Sequence, residues 1–236
     1  MSTPVPVQGF AESLTNKAPL SGATISVYGC TSGRLDATPS QVLTADSQGR
    51  FALVWPEGAD LTLLCEHPDY HPVQSLTFQV PPGGMMGKHQ EIAFQVPTRG
   101  AYDMLLLVLP TRLDRSACQL VITVAAAGMT LADDPQGEAG AVAVLDPPVG
   151  APFYAGMFKW GPLKDKTDPL QRDLTETSAD GGVFFFNLPP QDAPYTVTAQ
   201  KDGVTFTTCR FYAVAGRLVN GAPPNGPTVI SPPPVG

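Results

Sequence analysis

The residue types able to do chemistry are few and scattered in this 236-residue chain. It has three histidines, His67, His71 and His89. On a helix, residues four apart share a face, so His67 and His71 are the weak metal candidates. Pro68 lies between them and argues against a helix, which makes a solvated turn the favoured reading. His89 follows the glycine-rich run Pro81–Lys88 and is expected to be exposed. The acidic pairs Asp133-Asp134 and Asp165…Asp168 sit in polar stretches, where solvated loop carboxylates are the default. No Gly-x-Ser-x-Gly elbow occurs, and no glycine-rich phosphate loop precedes a helix. No catalytic residue and no cofactor is therefore expected.

Cys30, Cys65, Cys118 and Cys209 form no C-x-x-C pair, which disfavours a structural zinc or thioredoxin-type site. Four free, small, buried thiols are the expectation. If bridges form, they should be Cys30–Cys65 and Cys118–Cys209, one within each half of the chain.

Composition narrows the rest. Charged residues make up 15% of the chain, with 23 Gly and 26 Pro, which suits short strands and tight turns and excludes a coiled coil, a helical bundle and a collagen. The net charge is −7 with only 14 Lys and Arg, so a nucleic-acid partner is not expected. The longest apolar run, Met104–Leu109, is six residues, against about twenty for a membrane span. The N-terminus lacks the basic and apolar regions of a signal peptide. Cytoplasmic residence or export by a non-standard route is the corresponding expectation.

An internal repeat organises the chain. Val7-Gln8-Gly9-Phe10, Pro19-Leu20-Ser21-Gly22-Ala23-Thr24-Ile25-Ser26-Val27, Ala45-Asp46…Gly49-Arg50-Phe51, Leu61–Cys65 and Pro68-Asp69-Tyr70 follow in order. Val121–Val124, Gly140–Val144, Ala179-Asp180-Gly181-Gly182-Val183-Phe184, Tyr195–Ala199 and Asp202-Gly203-Val204 repeat that grammar. Alternation in Thr24–Val27 reads as a half-buried strand. The Asp…Gly segments read as hairpin turns, with Gly182 expected at positive φ. The predicted first core is Phe10, Ile25, Val27, Phe51, Leu53, Leu61, Leu63 and Phe78. The second is Val121, Val142, Val144, Phe184, Phe186, Val197 and Phe206. Tyr102–Pro110 reads as a buried strand, with a short helix as the competing reading. The proline-rich stretch from Asn220 onward is expected to be extended, in part polyproline II.

These motifs resemble the carboxypeptidase regulatory-like domains, members of the wider prealbumin-like (transthyretin-like) β-sandwiches. The resemblance implies an all-β chain of two tandem Greek-key sandwiches. The first would span 1–97, a connecting segment 98–117, the second 118–219, and a proline-rich tail 220–236. Such modules are usually non-catalytic, so the resemblance implies a binding or scaffolding role, with a structural spacer as another possibility. Two enzyme groups share the sandwich. The C-terminal Tyr-Arg-Gly-Ser motif of the hydroxyisourate hydrolases is absent here. The intradiol dioxygenases resemble Thr177–Phe184 with Leu188-Pro189-Pro190, but the second half has none of the histidines they use for iron. The enzymatic alternative is a site between the halves, where His67, Tyr70 and His71 would meet Tyr154.

The halves differ in one place. Gly22 and Asp46 are 24 positions apart, whereas Gly140 and Asp180 are 40 apart. The excess lies in the loop 147–173, which holds Phe153, Tyr154, Phe158, Lys159, Trp160, Lys164 and Lys166. Aromatic rings flanked by cations are the usual anchors of binding surfaces. The partner expected is a protein with an anionic patch or a carbohydrate ring. The competing reading is that the rings fold back to cover a sheet edge or the domain interface. Oligomeric state is left open by the sequence.

Overall fold

The computed structural model describes residues 2–108, 112–156 and 173–230. The chain is all-β in character, as expected, and is built of β-sandwich layers. β1 (Pro4–Ser13) alternates strictly, burying Val5, Val7 and Ala11 while Pro4, Pro6 and Gln8 face out. It pairs antiparallel with β6 (Arg50–Pro56) and parallel with β10 (Ile92–Val96). The facing layer starts at its edge with β5 (Gln41–Thr44), followed by β2 (Thr24–Tyr28), β7 (Asp60–Glu66) and β8 (Val73–Ser75). The small strands β3 (Cys30–Thr31) and β4 (Arg34–Leu35) form a hairpin, and β9 (Phe78–Gln79) pairs with β7.

The same pairings recur downstream. β11 (Cys118–Thr123) pairs antiparallel with β14 (Gly182–Leu188) and parallel with β17 (Leu218–Gly221). β12 (Val142–Asp146), β15 (Tyr195–Gln200) and β16 (Cys209–Phe211) form the facing layer. The turn glycines also match. Gly22 and Gly140 have φ of 77° and 76°, and Gly49 and Gly181 have φ of 69° and 73°. Gly22 N–H donates to the Ala45 carbonyl, and Gly140 N–H donates to that of Thr177.

The two halves share one sheet. β17 also pairs parallel with β8, giving the order β13-β14-β11-β17-β8-β7-β2-β5, where β13 is Phe153–Tyr154. Leu218 belongs to the first apolar cluster and its neighbour Val219 to the second. Successive strand residues point to opposite faces. The two cores therefore lie on opposite faces of a common sheet.

Several expectations are corrected. In the second core the inward set is Leu120, Ile122, Ala143, Leu145, Val183 and Phe185, together with Val197 and Phe206. The register expected for β11, β12 and β14 is thus off by one. Val121 packs against the first core, Val142 is 42% exposed, and Phe184 and Phe186 are half-buried. Val142–Leu145 and Phe184–Phe186 are unbroken apolar runs, so period-two alternation cannot choose their buried face. Phe10 packs with Ala93, Leu131 and Ala222 outside the first core, and Phe78 is a half-buried side chain touching both main clusters.

The stretch read as a strand after Thr98 is instead α1 (Arg99–Val108), as the competing reading had it. The Thr98 hydroxyl accepts the Ala101 N–H at 3.1 Å and caps its first turn. The start of the expected tail is also different. Asn220 and Gly221 lie inside β17, and Thr228 and Val229 bridge to Ala125 and Phe206. All four cysteine thiols are free, with Cys65 and Cys118 buried. Burial pushes the thiols of Cys65, Cys118 and Cys209 up to about 12, which makes them poor nucleophiles.

Candidate functional site

The positively charged and aromatic residues singled out in the loop divide sharply. Phe158, Lys159, Trp160, Lys164 and Lys166 lie outside the described residues. Phe153 and Tyr154 form β13, which adds to the free edge of β14 in the register Phe153↔Phe184 and Tyr154↔Val183. Alternation then sends the two rings to opposite faces. Tyr154 enters the second core, and its hydroxyl oxygen accepts the Ala143 N–H at 3.2 Å. Phe153 stays half-buried on the outer face. Its ring lies 5.4 Å from that of Phe186, which stacks at 5.8 Å on Phe184. Three phenylalanine rings thus line the outer face of the sheet edge where the loop begins. Phe184 and Phe186 were expected inside, so this strip is a consequence of the one-residue register change.

The histidines do not meet Tyr154. His67 and Tyr70 pack edge to face at 5.1 Å, and the Asp69 N–H donates to His67 Nδ1 at 3.3 Å, as in a local turn. His71 stacks on Tyr102 of α1, with centroids 3.6 Å apart and planes 14° from parallel. Its Nε2 is buried and has no hydrogen-bond partner among the described residues. Tyr102 packs against the first core, whereas Tyr154 is sealed in the second. The constellation proposed between the halves is not assembled. Among the described residues, no three His, Cys, Asp or Glu side chains are gathered as a metal site.

Burial drives the His71 imidazole down from 6.5 to about 4; Arg99 and Arg115 push the same way, and Asp103 opposes them. The folded state therefore disfavours the proton that the unfolded chain takes up near pH 6.5. Stability from this group is fully present above pH 6.5 and is lost as the pH falls toward 4. We expect the His71→Phe variant, which keeps a ring on Tyr102 but cannot titrate, to lose less stability over that window. The difference should be about 1–2 kcal/mol after allowing for the solvent that still reaches the ring. Glu12 and Asp180 have carboxyl pKa values raised by burial and act in the opposite sense on acidification. Comparing denaturant melts of the two proteins at pH 7 and pH 4.5 isolates the histidine. Parallel losses would show that His71 titrates normally.

The sequence reading places a candidate site between the halves but names none of the residues that meet there. Here the face of β7 and β8 that points away from the first core meets the segment that follows β16. Gln74 donates through Nε2 to the Tyr212 carbonyl at 2.9 Å and accepts at Oε1 from Arg217 at 2.9 Å. The Arg217 guanidinium also lies over the Tyr28 ring, 5.2 Å from its centroid. Arg210 pairs with Asp60 at 2.7 Å, and Thr62 and Thr77 share a hydroxyl hydrogen bond of 2.8 Å. Beside these contacts runs an open groove of about 610 Å³, lined on one side by Arg34 and Asp36 and on the other by Asp192, Tyr212 and Arg217. Arg34 pairs with Asp192 across it. Burial, with a hydrogen bond to Cys30 adding to it, raises the Tyr212 phenol to about 12. A neutral phenol and two partnered arginines make a polar, electrically balanced groove without an activated nucleophile.

Neither a family model nor a curated protein matches the chain. Solved structures give distant likenesses. The TIE protein of Bacillus anthracis matches over 92% of this chain at 12% identity and a TM-score of 0.31, and the matched region is about a third of its own length, 33%. The shaft pilin SpaA of Lactobacillus rhamnosus GG matches over 98% of this chain and 100% of its own, at 11% identity and a TM-score of 0.30. Chlorocatechol 1,2-dioxygenase of Pseudomonas putida covers 41% of this chain and 60% of its own, at 18% identity and a TM-score of 0.27. At these scores none of the likenesses assigns an activity to this chain.

Proposed function

We propose that this chain is a non-catalytic binding or scaffolding module. In this reading two prealbumin-like sandwiches in tandem, joined through 98–117, hold a partner-binding surface on a rigid frame. The recurrence of the strand pairings and of the positive-φ glycines supports a duplicated module. The observation that carries the binding role is the strip of Phe153, Phe184 and Phe186 at the root of the loop 147–173. Half-exposed rings on a paired sheet edge are held rigid, so little entropy is lost when a partner covers them. The same loop carries Phe158 and Trp160, further rings for a partner in this reading, and Lys159, Lys164 and Lys166, which supply positive charge in an acidic chain. The partner would then be an anionic protein surface or a carbohydrate.

Binding to panels of immobilised glycans and acidic proteins tests this reading. The double variant Phe158→Ala/Trp160→Ala is expected to bind about thirty-fold more weakly, equivalent to about 2 kcal/mol, with an unchanged melting temperature. A large drop in melting temperature with binding intact would make the rings packing elements and move the functional surface elsewhere.

A further inference from the structure

We propose that β6 is a self-association edge: two copies of this chain pair β6 with β6, antiparallel, about a two-fold axis at Leu53. β6 is the outermost strand of the sheet β10-β1-β6. The Arg50 carbonyl accepts from Asp46 N–H at 2.8 Å, and its N–H donates to Asp46 Oδ1 at 2.9 Å, so the backbone polar groups of Arg50 point away from β1. Backbone direction alternates along a strand, so those of Ala52 and Val54 point outward as well. The Ala52 N–H and C=O and the Val54 N–H have no partner among the described residues. The Val54 carbonyl takes one long contact, from Gln41 Nε2 at 3.4 Å. Pro56 has no N–H to satisfy.

Exposed edges are ordinarily blunted by lysines, inward charges, bulges or central prolines. β6 has none of these. It runs in unbroken register against β1 from Pro4↔Pro56 to Phe10↔Arg50, and its only proline is its last residue. Its outward side chains include Ala52 and Val54, the latter 57% exposed. The adjoining outer row of β1, Pro4 and Pro6, is exposed and uncharged. The molecule also shows that such an edge accepts a strand. β14, which pairs with β11 as β6 pairs with β1, has its outer edge taken by β13.

The choice of a second copy as the occupant follows from register and charge. Antiparallel pairing centred on Leu53 sets Ala52 against Val54 of the second copy. Their outward N–H and C=O groups then satisfy one another in both directions, with only the Gln41 contact displaced. Antiparallel pairing of a strand with itself is two-fold symmetric and closes as a dimer. The outward side of Arg50 is already held by Asp46, so the pairing is confined to Ala52–Val54, and Arg50, the one charged residue of β6, flanks it. The paired stretch Ala52–Val54 is itself uncharged, so a chain of net charge −7 meets its copy there without like charges set opposite one another. The proposal does not depend on the partner-binding reading above, because it uses neither the loop nor the phenylalanine strip.

Sedimentation equilibrium of the full chain over rising concentration is the test. We expect a reversible dimer that Ala52→Lys and Val54→Lys each abolish, with melting temperature unchanged because both side chains already face solvent. In a mixture of Ala52→Cys and Val54→Cys chains, oxidation should produce the mixed covalent dimer faster than either like pair. A chain that stays monomeric up to about 1 mM overturns the proposal. So does a dimer that survives both lysine substitutions, or an edge that takes up only an extended segment of another protein. Should a lysine variant fail to fold, the choice of cross-linked pair still decides the register.

Discussion

A chain ended after Arg217 is expected to lose cooperative folding in both halves, not in the second alone. β17 is bonded on both sides, to β11 over Gln119–Ile122 and to β8 over Val73–Ser75. Its removal would leave two rows of backbone N–H and C=O groups facing a slot, each buried unpaired group costing about 1–3 kcal/mol. It would also take Leu218 out of one core and Val219 out of the other, at about 1.5–3 kcal/mol of burial lost for each side chain. The sum reaches the 5–15 kcal/mol by which whole domains are stable. Beyond β17, Asn225 closes the free edge of β10. Its Oδ1 accepts the Ala93 N–H at 2.8 Å, and its Nδ2 donates to the Glu91 carbonyl at 3.1 Å. The milder substitution Asn225→Ala should therefore cost about 1–3 kcal/mol while leaving the fold intact. Circular dichroism melts and hydrogen exchange would check both. Protection surviving unchanged in β1, β6 and β10 of the shortened chain would show that the first half stands alone.

Sequence patterning reached the local structure and stopped at the long-range one. Strands that bury one face and wet the other, such as Pro4–Ser13 and Arg50–Pro56, announce themselves by alternation. So do the Asp-to-Gly turns, whose residue types are dictated by backbone geometry. The apolar runs Val142–Leu145 and Phe184–Phe186 carry no such signal, and the face that hydrophobicity alone suggested was the wrong one. Small Ala143 points inward and large Phe184 outward, an outcome decided by which neighbours fill the core. α1 was hidden for a related reason. Leu and Met fit either element, and only the Thr98 cap ahead of Arg99 separates them. β17 lies in a stretch whose prolines, read alone, suggest an open tail. Its pairing with Val73–Ser75 spans more than half the chain and has no local signature. The same holds for Gln74, Tyr212 and Arg217, ordinary residues until the fold places them together. Of the candidate binding residues, Phe153 was recognisable as an aromatic at the foot of an insertion. Its partners Phe184 and Phe186 could be found only after the register of β14 was known.

Gly181→Val is expected to destabilise the protein by at least about 3 kcal/mol, lowering the melting temperature by about 6–12 °C for a chain of this length. The turn Asp180-Gly181-Gly182 offers two glycines, and the sequence reading placed the positive φ on the second. The structure places it on Gly181, at 73°, whereas Gly182 already begins β14. The first half carried the clue. There Gly49, with φ of 69°, immediately precedes the first residue of β6. Crowding at the two positions is alike. A Cβ on Gly49 would stand 2.4 Å from the Ala11 carbonyl oxygen, and one on Gly181 2.5 Å from that of Val124. Those contacts are with backbone, which cannot swing aside, and Gly181 N–H and C=O bond to Ser178 and Val124 on either side of the turn. A β-branched residue in the left-handed region adds conformational strain to that clash. Gly182 differs in kind. Its Cβ would meet the Ala155 side chain at 2.8 Å, so Gly182→Val should push on the segment after β13 without straining the turn. The two variants should therefore separate, with Gly181→Val the more damaging by melting temperature and Gly182→Val felt chiefly in the hydrogen-exchange protection of Ala155, whose N–H donates to the Gly182 carbonyl at 2.9 Å. Equal melting temperatures for Gly181→Val and the wild type would mean that this turn is not the left-handed one.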